Sequence, residues 1–426
     1  MTSVLSPVAT PARARTTPAR ARTAPARSLH VVAPALRVAD AAAAAVFGAA
    51  RDSGPIARDR IAHATGLSVA TVNRQVTALL EAGLLNERAD LAVSGAIGRP
   101  RIPVEVNHEP YLTLGLHIGA RTTSVVATDL LGRTLDVVET ATPRGSQQAA
   151  LAALAASVRR YLSRWHRRRP LWVGVAAGGV VDSQAGLLDH PRLGWSQAPV
   201  GPVLAQALGL PVSLASHVDA MAGAELLLAG VPGARRPGTT GTSLYVYARE
   251  TVGYALSIDG KVHTPSTGPG IIAGLPVRSG LLGDSGTLET TVSDHALLTA
   301  ARRDRIVPAD GPGSTVAAVL KAARDGHDGA QELLAERARV LGEAVALLRD
   351  LLNPDDVVVG GQAFTGYPGG IELVQAAFNA RSSVSGQHIR VSAFGNRVQE
   401  VGAGLVSLGG LYADPIGAMR RASRAA

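Results

Sequence analysis

The sequence predicts a small, basic, mainly helical module at the N-terminus, followed by a mixed α/β body built as two similar halves. Three observations carry that expectation. Charge is uneven: residues 1–101 hold 13 arginines against 6 acidic residues, whereas residues 102–426 hold 29 Lys+Arg against 27 Asp+Glu. Apolar residues recur at helical spacing from Ala35 to about Ala82, interrupted by Gly66, and Gly83 ends the run. Beyond Leu112, strand-like and helix-like segments alternate, and the pattern recurs after about residue 242.

The chain of 426 residues, 46% hydrophobic, can bury two or three cores, which excludes global disorder. It contains no cysteine. Disulfides, thiolate nucleophiles, iron–sulfur clusters and cysteine-held zinc are thereby excluded. Gly194–Val218, the longest stretch without a charged side chain, is broken by Pro199, Pro202 and Pro211, so it does not read as a membrane span. Residues 1–30 lack the apolar core of a secretory signal. They repeat a Thr/Ala-Pro-Ala-Arg unit with Arg13, Arg15, Arg20, Arg22 and Arg27 and no acidic residue, and read as a disordered tail that attracts phosphate or merely solubilises. The expected location is the bacterial cytoplasm.

In the head, expected over residues 31–107, Ala35–Ala50 reads as a helix with Leu36, Val38, Ala42 and Val46 on one stripe. Pro55 opens a second helix over Ala57–Thr65, ended by Gly66. Ser68 is the expected N-cap of a third helix reaching Ala82, with Val72, Val76, Leu79 and Leu80 inward. That leaves Ala70, Thr71, Asn73, Arg74 and Thr77 outward. Leu84–Asn86 and Ile102–Val106 read as strands around a turn carrying Arg99 and Arg101. Together these form a winged helix-turn-helix. Such a helix fits the major groove, where Asn73 pairs with adenine and Arg74 with guanine or phosphate, while Arg99 and Arg101 reach the backbone or minor groove. Arg88 also falls on the expected reading surface. The competing reading is a helical hairpin for protein contacts, its arginines merely solvated.

The body, residues 108–426 with a boundary near 218, begins with strands over Leu112–His117, Ser124–Asp129 and Leu135–Val138. A helix over Ala149–Trp165 and a strand over Leu171–Ala176 follow, then a strand at Val212–Leu214 and a helix over Asp219–Ala229. Thr242–Tyr247, Tyr254–Ile258 and Lys261–His263 repeat the meander. Helices over Leu288–Ala300 and Gln331–Leu352 and a strand over Val357–Val359 complete the second half.

Several motifs stand in order along this body: Gly98-Arg99-Pro100 ahead of Gly115–Ala120, the run Val173–Asp182 with Gly178 and Gly179, and Leu193-Gly194-Trp195. Gly283–Glu289, Asn353–Gly361 and Val401–Leu405 continue the series. The set resembles the regulator branch of the ROK family (repressors, open reading frames and kinases) and covers residues 35–412. The resemblance implies an actin-like, ribonuclease-H-like duplicated domain behind the winged helix. It also implies a sequence-specific transcriptional regulator, more readily a repressor, acting as a homodimer or higher homo-oligomer on an inverted-repeat operator in double-stranded DNA.

The departures from the family pattern bear on catalysis. The stretch matching the kinases' general base is Ser216–Asp219, which puts His217 in place of the aspartate. The first phosphate loop reads His117-Ile118-Gly119-Ala120-Arg121 without its acidic residue, and the second, Arg249–Gly253, has lost two of three glycines and gained Glu250. The expectation is a protein that is not an enzyme and needs no cofactor. The positions matching the family's zinc ligands, Gly274, Gly280, Leu282 and Thr287, cannot hold a metal, so none is expected. Ser216, His217, Asp219 and Glu289 remain as the polar groups of an effector cleft. The cleft either takes a carbohydrate or another effector, or is a core without a ligand. The rival from another class is a carbohydrate kinase with a DNA-binding head.

Overall fold

The computed structural model describes residues 30–92, 102–229, 241–265, 268–384, 386 and 388–425. The Arg/Pro-rich tail through residue 29 and the turn with Arg99 and Arg101 lie outside the described residues.

The head comprises α1 (Ala42–Ser53), α2 (Arg58–Thr65), α3 (Val69–Glu81), β1 (Leu85–Glu87) and β2 (Val104–Val106). Gly66 takes the left-handed conformation, φ 68°, that turns the chain from α2 into α3. Ser68 caps α3 by accepting from the Thr71 backbone N–H, an interaction worth about 1 kcal/mol. β1 and β2 pair antiparallel with Leu85 opposite Val106, and Ile56 bridges to Val104. Val72, Val76 and Leu79 are fully buried against Ile61, Phe47 and Val104 in one cluster, so the winged helix-turn-helix is closed by a continuous apolar core.

The expected first helix is shorter than its periodicity suggests. Residues 30–41 run extended along the body, with Val31 bridging Val212 and Arg37 bridging Lys261. The Val38 N–H donates to the Gly260 carbonyl at 2.8 Å, and the Val262 N–H to the Leu36 carbonyl at 2.9 Å. Pro34 cannot donate within a helix, and both body sheets offer unpaired edges, so edge pairing overrides the alanine-rich helical pattern.

The first half of the body runs β3 (Tyr111–Ile118), β4 (Thr122–Thr128), β5 (Thr134–Ala141), α4 (Gln147–Leu162), β6 (Arg169–Ala177), β7 (Val180–Asp182), β8 (Leu187–His190), β9 (Trp195–Ala198), α5 (Val200–Leu208), β10 (Val212–Ser216) and α6 (His217–Leu228). Its main sheet has the order β10-β6-β3-β4-β5, antiparallel from β3 to β5 and parallel across β3, β6 and β10.

The second half opens with β11 (Thr242–Ala248), β12 (Val252–Ile258), β13 (Lys261–Val262), β14 (Gly270–Ile271), β15 (Pro276–Ser279) and β16 (Gly283–Thr287). Helices α7 (Leu288–Val292), α8 (Asp294–Arg303), α9 (Val316–Arg324) and α10 (Asp328–Leu352) lead to β17 (Asp356–Gly360). The chain ends with α11 (Gln362–Thr365), α12 (Gly370–Arg381), β18 (Ile389–Val391), α13 (Val398–Ala413) and α14 (Pro415–Ala425). The sheet order β13-β12-β11-β17-β18 repeats the first half's meander followed by parallel strands. This is the duplicated actin-like fold. The single helix expected over Leu288–Ala300 is two, because Ser293 is extended (φ −63°, ψ 160°) and its hydroxyl caps α8.

Helix α13 crosses back to the first half and lies on β3 and β6. The approach is close: a Cβ on Gly174 would stand 2.1 Å from the Ser407 nitrogen, and one on Gly115 2.5 Å from the Ala403 carbonyl carbon. Only glycine permits it. The far end of α13 carries Tyr412, whose ring meets Phe47 at 6.3 Å and the Arg51 guanidinium at 4.3 Å. The head is thereby fixed to the body through α1.

Candidate functional site

On α3 the residues expected to face outward separate into two groups. Ala70, Asn73, Arg74 and Thr77 are exposed. Thr71 is half-buried, and its hydroxyl accepts from the exposed Ser68 at 2.9 Å, so these two side chains are engaged with each other at the cap. Val69, missed by the sequence reading, is 54% exposed at the start of α3 and extends the outward face. Arg88 corrects an expectation. It is bound to Asp90 at 2.6 Å and Glu105 at 2.8 Å, so its charge is spent within the head.

Between the two halves, the structure brings together side chains from the carboxyl ends of several strands, where open α/β sheets place their ligands. His117 is the penultimate residue of β3, His190 ends β8, His217 follows β10, Tyr247 is the penultimate residue of β11 and Arg249 follows that strand. The His117 and His217 rings lie parallel, 6.0 Å apart, and His217 meets Tyr247 at 5.3 Å. Gln399 at the start of α13 donates to the Tyr247 hydroxyl at 2.6 Å and accepts from Arg249 at 3.1 Å. Burial, reinforced by neighbouring His217, Arg249 and His190, pushes His117 down to about 3. Burial and His190 push His217 down to about 4. Both are therefore neutral imidazoles at pH 7. Among the described residues, His117 Nε2 and His190 Nδ1 are buried without a hydrogen-bond partner.

The residues expected to form the cleft take different roles. Ser216 caps α6 by accepting from the Asp219 N–H at 3.2 Å. Asp219 is buried, and desolvation pushes its carboxyl up to about 6 despite the Ser216 hydroxyl. Glu289 is committed elsewhere: it accepts from Arg192 at 2.6 Å and from the Val252 N–H at 3.2 Å.

Two ion pairs tie the halves together across this cleft. Arg121, in the turn after β3, pairs with Glu250 in the turn after β11, and Arg192 pairs with Glu289. Arg192 also donates to the Glu250 carbonyl at 3.1 Å. The turns joined by the first pair are those matching the kinases' two phosphate loops. Among the described residues, no group of three or more His, Asp or Glu side chains is arranged to hold a metal ion, and no helix is long and apolar enough to cross a membrane.

The sequence model of the ROK family matches residues 113–402. A protein of Mycobacterium tuberculosis (strain H37Rv) named as a transcriptional regulator is 68% identical over 390 residues, covering 90% of this chain and 88% of that protein. The N-acetylglucosamine repressor of Escherichia coli O157:H7 is 24% identical over 334 residues, covering 75% and 80%. Among solved structures, a ROK-family transcriptional regulator homologous to the E. coli MLC protein superposes with a TM-score of 0.70 at 22% identity, covering 90% of this chain and 98% of that one. A ROK-family glucokinase from Streptomyces griseus, bound to glucose and AMPPNP, superposes at 0.59 with 22% identity, covering 70% of this chain and 99% of its own. These two likenesses establish the fold.

Proposed function

The chain belongs to the ROK family, and from that premise we propose a repressor without kinase activity, whose cleft senses a neutral polyhydroxylated effector such as a sugar. The observation that carries the reading is the Arg121–Glu250 pair. It joins the two loops that a kinase would open around phosphates, and it puts a carboxylate into the second of them. A nucleotide's phosphates and Glu250 repel one another, whereas a neutral ligand faces no such penalty. The parallel neutral imidazoles, with Tyr247 and unpartnered ring nitrogens, supply hydrogen-bonding groups suited to hydroxyls.

Sensing then needs a path to the head, and two elements offer one. Helix α13 begins at the cleft with Gln399 and ends at the head with Tyr412, about 20 Å along a continuous helix. The extended segment through Val31 and Arg37 touches the sheets of both halves before entering α1. A change in the angle between halves strains both elements, so an effector that prefers one arrangement shifts the heads. In a homodimer the heads meet an inverted repeat with half-sites about one helical turn apart, roughly 34 Å. Ala70, Asn73, Arg74 and Thr77 face the bases, Ser68 and Thr71 hold the helix start, and Arg99 and Arg101 touch the backbone. Such a protein works in the cytoplasm, on the nucleoid.

The reading is tested on the intact chain. With ATP and a panel of hexoses, ADP formation is expected to stay at the no-sugar background; sugar-dependent ADP overturns it. In thermal melts with neutral hexoses and N-acetylhexosamines, a true effector at 100 times its Kd adds about 2.7 kcal/mol. His217→Ala is expected to abolish that gain. Asn73→Ala is expected to cost about 1.4 kcal/mol, or tenfold, on a selected high-affinity duplex, with little change on random DNA. Equal losses on both duplexes remove Asn73 from base reading.

A further inference from the structure

A second basic surface lies outside the winged helix. The turn after α4 carries Arg164, Arg167 and Arg168, and Arg169 opens β6, with no acidic residue between them. Arg168 donates to the His108 and Tyr111 carbonyls at 3.1 Å, which pins this turn beneath the segment joining the wing strand to the body. Arg169 reaches Ser423 of α14 at 3.1 Å. Helix α14 packs against α1, α3 and β6. It adds Arg420 and Arg424, one turn apart and both exposed. Arg164 and Arg421 are paired with Asp136 and Asp414. Among the described residues, Arg167, Arg169, Arg420 and Arg424 have no carboxylate within ion-pair distance, and all four are exposed.

The ledge sits at a telling place. Tyr111 is its link to the head: a Cβ on Gly83, just past the end of α3, would stand 2.7 Å from the Tyr111 hydroxyl. The 13 residues of α3 span about 20 Å, whereas the major groove is about 12 Å wide. With the first turns of α3 at the bases, its last turns pass over the bounding phosphate strand. Groups beside that end meet phosphates.

We infer that Arg167, Arg169, Arg420 and Arg424 form a second DNA-contact surface, on the body, that grips the phosphate backbone flanking the half-site whatever its sequence. The inference rests on the head reading DNA and extends the contact beyond the head. A membrane surface is the weaker occupant, because the apolar face of α14 (Ala418, Met419 and Ala422) is already buried and none remains to enter lipid.

The test compares the full chain with the triple variant Arg167→Ala, Arg420→Ala, Arg424→Ala, on a 30-base-pair random duplex and on a selected high-affinity duplex across a salt series. Each lost phosphate contact lowers the slope of log K against log salt by about 0.9, so a fall of about 2 to 3 is expected. The fall should be equal on both duplexes, with an unchanged melting temperature. An unchanged slope overturns the proposal, as does a loss seen only on anionic phosphatidylserine vesicles. Asn73→Ala separates the two surfaces: it should alter discrimination and leave the slope in place. If Asn73→Ala leaves discrimination unchanged while the triple variant still lowers the slope, the assignment of base reading to Asn73 fails and the ledge stands.

Discussion

Arg337→Ala is expected to destabilise the protein by about 3–5 kcal/mol, the cost of leaving one member of a buried ion pair alone. Arg337 on α10 is 2% exposed. Its Nε donates to the Val292 carbonyl at 2.6 Å and its Nη2 to Asp294 at 2.7 Å. Asp294, at the first turn of α8, is itself buried, and Arg249 approaches its other oxygen only at 3.6 Å. Removing Arg337 strands a carboxylate and a carbonyl in the interior, and the second half of the body is expected to melt roughly 10 °C lower. The pair need not be stabilising relative to apolar packing. Arg337→Met combined with Asp294→Leu should therefore recover most of the loss, by urea or thermal unfolding. A loss below about 1 kcal/mol for Arg337→Ala would show that the interior rearranges around Asp294. Because Arg249 bridges Asp294 and Gln399, the single variant should also loosen the cleft.

How much of this could be read from the chain depended on how local its causes are. The capped α3 was legible because Gly66, Ser68 and the spacing of Val72, Val76 and Leu79 act within fifteen residues. The strand ends bearing His117 and His217 were legible for the same reason. The extended run through residues 30–41 was not: its alanine-rich pattern is helical, and what straightens it is pairing with Val212 and Lys261, far away in sequence. Helix α13 contains Gly402, Gly404, Gly409 and Gly410, which weaken a helix taken alone. Their reason is tertiary, since a Cβ on Gly409 would stand 2.5 Å from the Ala35 carbonyl oxygen. The cross-cleft pairs were equally hidden. Arg121 and Glu250 are separated by 129 residues, and Glu289 seemed free until Arg192, 97 residues away, was placed against it. His190, Tyr247 and Arg249 had one usable signal, their position at the carboxyl ends of strands.

Acid is expected to weaken the fold through the same cleft. An unfolded histidine takes up its proton near pH 6.5, whereas folded His117 and His217 resist until about 3 and about 4. Below pH 6.5 the unfolded chain thus binds more protons, so stability falls as pH falls. From pH 7.5 to 5.5 each histidine contributes a loss of about 1.4 kcal/mol. Asp219 works in the opposite direction. Its folded value near 6 lies above the unfolded 3.8, so the folded state gains a proton first and recovers about 0.8 kcal/mol over the same interval. The net expectation is a loss of about 2 kcal/mol, with His190, also pushed down by burial, adding to it. Urea unfolding of the intact chain at the two pH values measures it. The double variant His117→Gln, His217→Gln should lose most of the dependence, whatever its stability at pH 7.5. Should the double variant keep the full dependence, these imidazoles are protonated or solvated in the folded protein. The cleft would then be open to water and gain positive charge only as pH falls through about 6.5, so a preference for anions would emerge in acid alone.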